Sequence, residues 1–218
     1  MGKPIRIVSF ILFQLIFLAC TSERKSEEDV WDGELDKFNE MSMLLETNIQ
    51  RIPEWVAYWK EMEPAFRSES FVVERKEGYE ELEWPEENPI GRESPFFPYL
   101  LPHPDGIGQV DIYSYKVFVP AQGRTGFQPD SEVIFFKENG LRERLLFVGP
   151  SGGFDEAIWV NAQLLLVAGY FEEEQGFTPK IWLIDIENQS YTIFKHPFYT
   201  TNFDRHGYLK RKLSNIDF

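Results

Sequence analysis

A short glycine-rich segment near the middle of the chain matches the pattern of a serine nucleophile. Residues 149–153 read Gly-Pro-Ser-Gly-Gly, which fits G-x-S-x-G around Ser151. An acid and two imidazoles follow in a chain order that serine hydrolases use: Asp185, His196 and His206. An attacking serine also needs oxyanion donors, which the turn between a strand and a helix supplies. Because residues 154–161 have the pattern of another strand, we favour a strand-to-strand turn over a nucleophile.

A second set of candidate residues lies in the glycine-rich segment 103–111. This segment holds one imidazole and two carboxylates, from His103, Asp105 and Asp111. They could bind a ligand or act as an acid and base pair. The alternating oxygen ligands of a calcium loop and a second nearby histidine are absent, so we expect no metal site. A Pro-Asp-Gly turn that leads into a strand is the preferred interpretation. We also expect no cofactor, because the sequence has no phosphate-binding glycine motif.

The single cysteine of the chain, Cys20, lies at the end of an apolar run. Lys3 and Arg6 precede this run, which covers residues 7–19, and a polar segment follows it. A positive region, an apolar region and a small residue before a break are typical of a secretory signal peptide. As a helix, the run would be about 20 Å long, whereas the hydrocarbon of a bilayer is about 30 Å thick. We therefore expect cleavage rather than a permanent membrane-spanning helix.

Residues 17–20, Phe-Leu-Ala-Cys, resemble the lipobox of bacterial lipoproteins. The resemblance covers residues 1–22, and Phe17 departs from the leucine that the family usually has. It implies a signal peptide at 1–19, lipidation of Cys20 (palmitate among the acyl chains) and a membrane-anchored envelope protein. Thr21 after the cysteine resembles the pattern sorted to the outer membrane in Gram-negative cells. The alternative is an ordinary secretory signal with a chance cysteine.

Composition limits the partners that the protein can have. The formal net charge of the 218 residues is −14, which disfavours nucleic acid and anionic membrane surfaces because they repel an acidic protein. One cysteine cannot form a disulfide scaffold or a cysteine-clustered metal site within one chain. Hydrophobic residues make up 43% of the chain and aromatic residues 16%, so there is enough apolar material for a packed core. The length suits one domain.

Two amphipathic helices are predicted after a short solvated tether at residues 20–29. Apolar residues recur every three or four positions on one helical face: Trp31, Leu35, Phe38, Met41, Leu45, Ile49 and Ile52. Pro53 ends this helix and suits the first turn of a second one, which continues the apolar stripe with Trp55 and Trp59. We expect these tryptophans to pack in the core rather than to form a ligand platform.

The rest of the chain is predicted to be mainly β. We assign an acidic, helical and mixed segment to residues 30–93, a proline- and glycine-rich loop to 94–109, a β domain to 110–198 and a C-terminal tail to 199–218. Asn139-Gly140 lies between two apolar runs, which is a strong hairpin signal. The first strand of the β domain is expected over 110–120. The basic cluster 205–212 in the tail is expected to be solvated.

A repeated tetrapeptide indicates a supersecondary unit that is used twice. Residues 126–129, Gly-Phe-Gln-Pro, and 176–179, Gly-Phe-Thr-Pro, are 50 residues apart, and an apolar strand, a turn and a second strand follow each. Residues 110–198 thereby resemble β-propeller blades. Two blades cannot close a propeller. We therefore expect antiparallel meander sheets, open or sandwich-like, with the N-terminal helices packed on them, and Phe127 and Phe177 buried at equivalent positions.

These observations favour a lipid-anchored envelope protein that binds or scaffolds without catalysing a reaction. Its expected partners are the membrane, through the lipid anchor, and an unknown envelope protein or a small ligand. The alternative is an envelope hydrolase that uses Ser151 or the set formed by His103, Asp105 and Asp111.

Overall fold

The computed structural model of the protein describes residues 39–218. The predicted signal peptide, Cys20, the tether and Trp31 lie outside these residues. Helix α1 is described over residues 39–49, and helix α2 covers Pro53–Met62. Pro53 lies in the first turn of α2, as the sequence predicts. The buried face of the helical segment is the predicted apolar stripe, which includes Leu45, Ile49 and Trp55.

Sheet A is a five-stranded antiparallel sheet. From one edge to the other, its strands are β1 (Val72–Gly78), β12 (Ser190–Lys195), β11 (Gly176–Asp185), β10 (Leu164–Glu173) and β9 (Gly152–Trp159). The last four strands form a meander in chain order, as predicted. The edge strand β1 comes from the acidic N-terminal segment.

Sheet B also has five antiparallel strands. Their order is β2 (Glu83–Pro85), β8 (Leu141–Val148), β7 (Ser131–Lys137), β4 (Gly108–Asp111) and β3 (Leu101–Pro102). Two short strands, β5 (Val117–Phe118) and β6 (Gly126–Phe127), form a separate ribbon. The hairpin between β7 and β8 turns at Asn139-Gly140, where Gly140 has a φ of 82°. The predicted class, mainly β with open antiparallel sheets and packed helices, is confirmed.

The inner strands β10 and β11 of sheet A are buried on both faces. Leu165 and Val167 of β10 lie in a cluster with Phe135 and Leu145 of sheet B, so the two sheets face each other. The alternate residues of sheet A, such as Leu166, lie in a second cluster under helices α1 and α2. Burial on both faces explains the continuous apolar runs in β10 and β11, because neither face needs polar side chains.

The C-terminal tail is packed, and the prediction of a solvated tail is wrong. Helix α3 (Gly207–Lys212) and the residues after it bury Tyr208, Leu209, Leu213 and Ile216. Lys210 and Arg211 of the same helix are exposed, whereas Lys212 is half-buried. The predicted strand over 110–120 is also too long, because the chain bends between β4 and β5.

The two Gly-Phe-x-Pro segments do not occupy equivalent positions, so this part of the repeat prediction is wrong. Phe127 ends the two-residue strand β6, whereas Phe177 lies near the start of the ten-residue strand β11, and both side chains are only half-buried. In the first copy, the chain changes its pairing partner around Pro129. In the second, β12 pairs with β11 only from Lys180 onward, so Pro179 fits within the strand without donating to β12.

The two phenylalanines nevertheless share one role, because both contact the C-terminal segment. Phe127 stacks on His206 with ring centroids 3.8 Å apart, and Phe177 stacks on Phe203 at 5.0 Å. The Arg205 guanidinium lies over the Phe177 ring at 4.8 Å. The segment that leads into helix α3 is therefore held between the two phenylalanines.

Candidate functional site

Ser151 lies in an exposed turn between β8 and β9. The backbone N–H of Gly152 donates to the carbonyl of Gly149 at 3.1 Å, which closes the turn, and the chain continues as a strand. The carbonyl of Ser151 accepts the backbone N–H of Glu172 at 2.6 Å. This is the strand-to-strand turn that the sequence favours.

The predicted partners of Ser151 are engaged elsewhere. His103 Nε2 lies 2.7 Å from the carbonyl oxygen of Ala162, and His196 Nε2 lies 3.0 Å from that of Arg67. His206 stacks on Phe127. Among the described residues, no hydrogen bond joins Ser151 to a histidine. The Asp185 carboxylate accepts N–H groups from Gln163 and Asn188, so it orders the β11–β12 turn.

The second predicted set is not brought together. The Nδ1 of His103 accepts the backbone N–H of Asp105 at 3.1 Å, and this bond fixes the turn between β3 and β4. The Asp105 side chain is exposed. Asp111 lies at the far end of β4, where its carboxylate accepts N–H groups of Tyr113 and Ser114. Burial raises the pKa of Asp111. His103 and Asp105 therefore belong to one turn, whereas the buried Asp111 carboxylate binds the backbone that follows β4.

A group of carboxylates that could hold a metal is filled by a lysine. Carboxylate oxygens of Glu81, Glu83 and Glu143 lie within 4.8 Å of one another. Lys137 Nζ lies 2.8 Å from Glu143 and 3.5 Å from Glu81, and it also contacts Glu83. The ammonium group lies where a metal ion would bind and compensates part of the negative charge of the cluster.

A β-bulge in strand β9 brings together the most unusual set of polar groups. Glu156 pairs with Ala168 of β10 and Phe154 pairs with Gly169, so Asp155 is an extra residue between them. A Cβ at Gly169 would lie 2.0 Å from the carbonyl oxygen of Gly153, so only glycine allows this close approach. Bulges redirect side chains and are common beside functional sites.

Asp155 points into the core beneath helix α2. It is 1% exposed, and Trp55 Nε1 donates to its carboxyl oxygen Oδ2 at 3.1 Å. Burial, with a smaller contribution from the negative charge of Glu156, raises the pKa of Asp155 to about 8. The Tyr113 hydroxyl donates to the Asp155 carbonyl oxygen at 3.0 Å. Asp155 is therefore mostly protonated at neutral pH.

Glu156 belongs to a different network, which it forms with helix α3. Its Oε2 atom accepts the Tyr208 hydroxyl at 2.7 Å and lies 2.6 Å from Lys212 Nζ. Glu156 is 8% exposed, and Lys212 is also 3.9 Å from Glu54 of α2. Burial and the Glu156 charge raise the pKa of Tyr208. The result is a largely buried ion pair that joins β9 to helix α3.

Glu156 and Lys212 lie in the wall of a cleft of about 200 Å³, which we call the Glu156 cleft. Its aromatic side is formed by Tyr99 and Tyr113, whose rings meet edge to face at 5.9 Å. The other lining residues are apolar: Pro98, Leu100, Leu101, Val110, Ile112 and Ala157. Apolar walls with a few convergent polar groups are typical of small-molecule sites.

Sequence reasoning missed the Glu156 cleft because its parts come from four separate segments of the chain. One signal was present in the sequence: Asp155 and Glu156 are consecutive acids within the predicted strand at residues 154–161. Two adjacent strand residues point to opposite faces, so at least one buried acid was required.

Within residues 39–218, the helices are too short or too polar to cross a lipid bilayer. Comparison of the chain with protein-family models, with curated proteins and with solved structures gives no match.

Proposed function

We propose that this protein is a lipid-anchored protein of the cell envelope that binds a small ligand in the Glu156 cleft and does not transform it chemically. The anchor rests on the lipobox pattern that ends at Cys20. In a Gram-negative cell, Thr21 favours the outer membrane.

The observation that carries the binding site is the largely buried ion pair between Glu156 and Lys212 in the wall of an apolar cleft. A buried ion pair does not by itself favour folding, because the cost of desolvating the charges offsets their attraction. Its placement at a cleft suits recognition, since charges in a low-dielectric site act strongly on a ligand.

The arrangement favours binding over general acid and base chemistry. The protonated carboxyl of Asp155 is engaged with Trp55 of helix α2, and Asp155 is not among the residues that line the cleft. Glu156 is held by Tyr208 and Lys212, so its charge is balanced within the protein. A catalytic pair would need both carboxyl groups within reach of one substrate.

A thermal-shift screen with small amines, carboxylates and amino acids tests the proposed site. Ala157→Leu adds a branched side chain to the cleft wall and should abolish every shift that the wild type gives. Arg211→Met is the matched control, because Arg211 lies on the exposed side of α3 and pairs with Glu61. A ligand that stabilises wild type and Ala157→Leu equally would place binding outside the cleft and contradict the proposal.

A further inference from the structure

We infer that the ligand of the Glu156 cleft is a small zwitterion of the amino-acid class, with its ammonium group on Glu156, its carboxylate on Lys212 and an apolar side chain in the cleft. This inference rests on the ligand-binding function proposed above and specifies its chemistry.

Two neighbouring residues that line the cleft carry charges of opposite sign. Lys212 Nζ and Glu156 Oε2 are 2.6 Å apart, and both residues line the cleft. An α-amino acid likewise carries its ammonium and carboxylate groups on one carbon atom. A ligand of this kind can therefore contact both protein charges at once, with its ammonium group at Glu156 and its carboxylate at Lys212.

The hydrogen bonds of Glu156 leave room for a ligand. The Tyr208 hydroxyl and Lys212 Nζ both contact Oε2, whereas in the described part of the chain no hydrogen bond reaches Oε1. Tyr208 would hold the carboxylate in place while a ligand ammonium donates to Oε1. Lys212 has a side chain that is one-quarter exposed, so its ammonium group can also reach a ligand carboxylate.

Ligands with a single charge fit this pair less well. A carboxylate without an ammonium group would draw Lys212 away and leave the buried Glu156 charge with less compensation. An amine without a carboxylate would meet the positive charge of Lys212. A site that places buried polar groups against both ends of a ligand rejects analogues that lack one end.

The size and the walls of the cleft define the rest of the ligand. At about 200 Å³, the cleft has the volume that roughly seven water molecules occupy in the liquid. Leu101, Val110 and Ile112 offer apolar contacts beside the two charges. A zwitterion also has no net charge, so the net charge of −14 on the chain does not repel it.

Calorimetric titration of the full chain in detergent with leucine and two of its analogues tests this inference. 4-Methylpentanoate lacks the amino group of leucine, and 3-methylbutylamine lacks the carboxylate. Leucine should bind, and each analogue should bind at least tenfold more weakly. Glu156→Gln and Lys212→Met should each weaken leucine binding at least tenfold, whereas Arg211→Met should not change it.

Melting curves identify variants that fail to fold, and Lys212→Arg, which keeps the charge, should retain most of the affinity. Equal affinity for leucine and either analogue would overturn the inference. So would absence of leucine binding to the folded wild type. The thermal-shift screen then separates the two proposals. If leucine fails these tests but other compounds give thermal shifts that Ala157→Leu abolishes, the zwitterion inference fails while the cleft remains a binding site. If Ala157→Leu abolishes the thermal shift of no compound, both proposals fail.

Discussion

Asp155 and Glu156 are neighbours in sequence but have different surroundings. The bulge turns Asp155 toward Trp55 in the core and Glu156 toward Lys212 at the cleft. One carboxyl therefore holds a proton near neutral pH, while the other faces a cation. The sequence shows two adjacent acids in a buried strand, but the bulge that separates their roles depends on pairing with β10, which local sequence patterns do not specify.

The raised pKa of Asp155 predicts a pH-dependent stability. Between the ordinary value of 3.8 and about 8, the folded protein holds a proton that the unfolded chain has released. The free energy of unfolding should therefore decrease as pH rises through this window, by up to about 1.4 kcal/mol per pH unit. Asp155→Asn should flatten the dependence in urea titrations at pH 5 to 8. Asp105→Asn, which removes an exposed carboxyl, should keep the wild-type slope; equal slopes in wild type and Asp155→Asn would contradict the assignment.

Ser151 is predicted to be inert. Its exposed position in a closed turn means that Ser151→Ala should change the free energy of unfolding by no more than about 0.5 kcal/mol. A fluorophosphonate probe should not label the wild type. Labelling that disappears in Ser151→Ala would instead support the hydrolase alternative, with Ser151 as its nucleophile.

Helix α2 is the element whose position the sequence predicts best. Pro53 begins it, and the spacing of Trp55 and Trp59 gives its buried face, because both the first-turn proline and the apolar stripe are local features. Helix α3 is the opposite case. Its six residues carry three bases in the last turn, which suggested a solvated tail, but Tyr208, Leu209 and Leu213 anchor it to both clusters of core residues. A short helix takes its stability from tertiary packing, which composition does not reveal.

Trp55 is predicted to stabilise the contact between helix α2 and sheet A. Trp55→Ala leaves a cavity in the core and removes the hydrogen bond to Asp155, so we expect a loss of about 3 to 5 kcal/mol in chemical denaturation. Met43 of helix α1 is 62% exposed and provides the control. Met43→Ala should change stability by less than about 0.5 kcal/mol. Similar losses in the two variants would show that α2 does not pack as described.

At the scale of the whole molecule, the sequence predicts the class of the fold but not how its sheets are completed. The meander β9 to β12 follows from short connections and apolar runs. The edge strands β1 and β2 come from one acidic segment, yet β1 pairs with β12 and β2 with β8, in different sheets. These pairings join residues about 60 to 120 positions apart. Strand β1 is largely charged and β2 has only three residues, so their composition gives no preference for either partner.

Membrane anchoring through Cys20 is a prediction about the complete chain. Intact-mass measurement of the protein from membranes should find Cys20 as the first residue, with diacylglycerol attached. Cys20→Ser should release the protein from the membrane fraction or leave the precursor uncut. A processed Cys20→Ser protein that stays in the membrane would contradict lipidation at this site.

Chemical-shift mapping with methyl-labelled protein tests the central claim most directly, namely that a small ligand binds in the Glu156 cleft. With leucine as the first probe and the other compounds of the thermal-shift screen after it, the methyl groups of Leu101, Val110 and Ile112 should shift, because they line the cleft. The methyl groups of Val56 and Leu166 should not, because they lie under the opposite face of sheet A. Shifts confined to Val56 and Leu166, or no shifts with any compound, would contradict the claim.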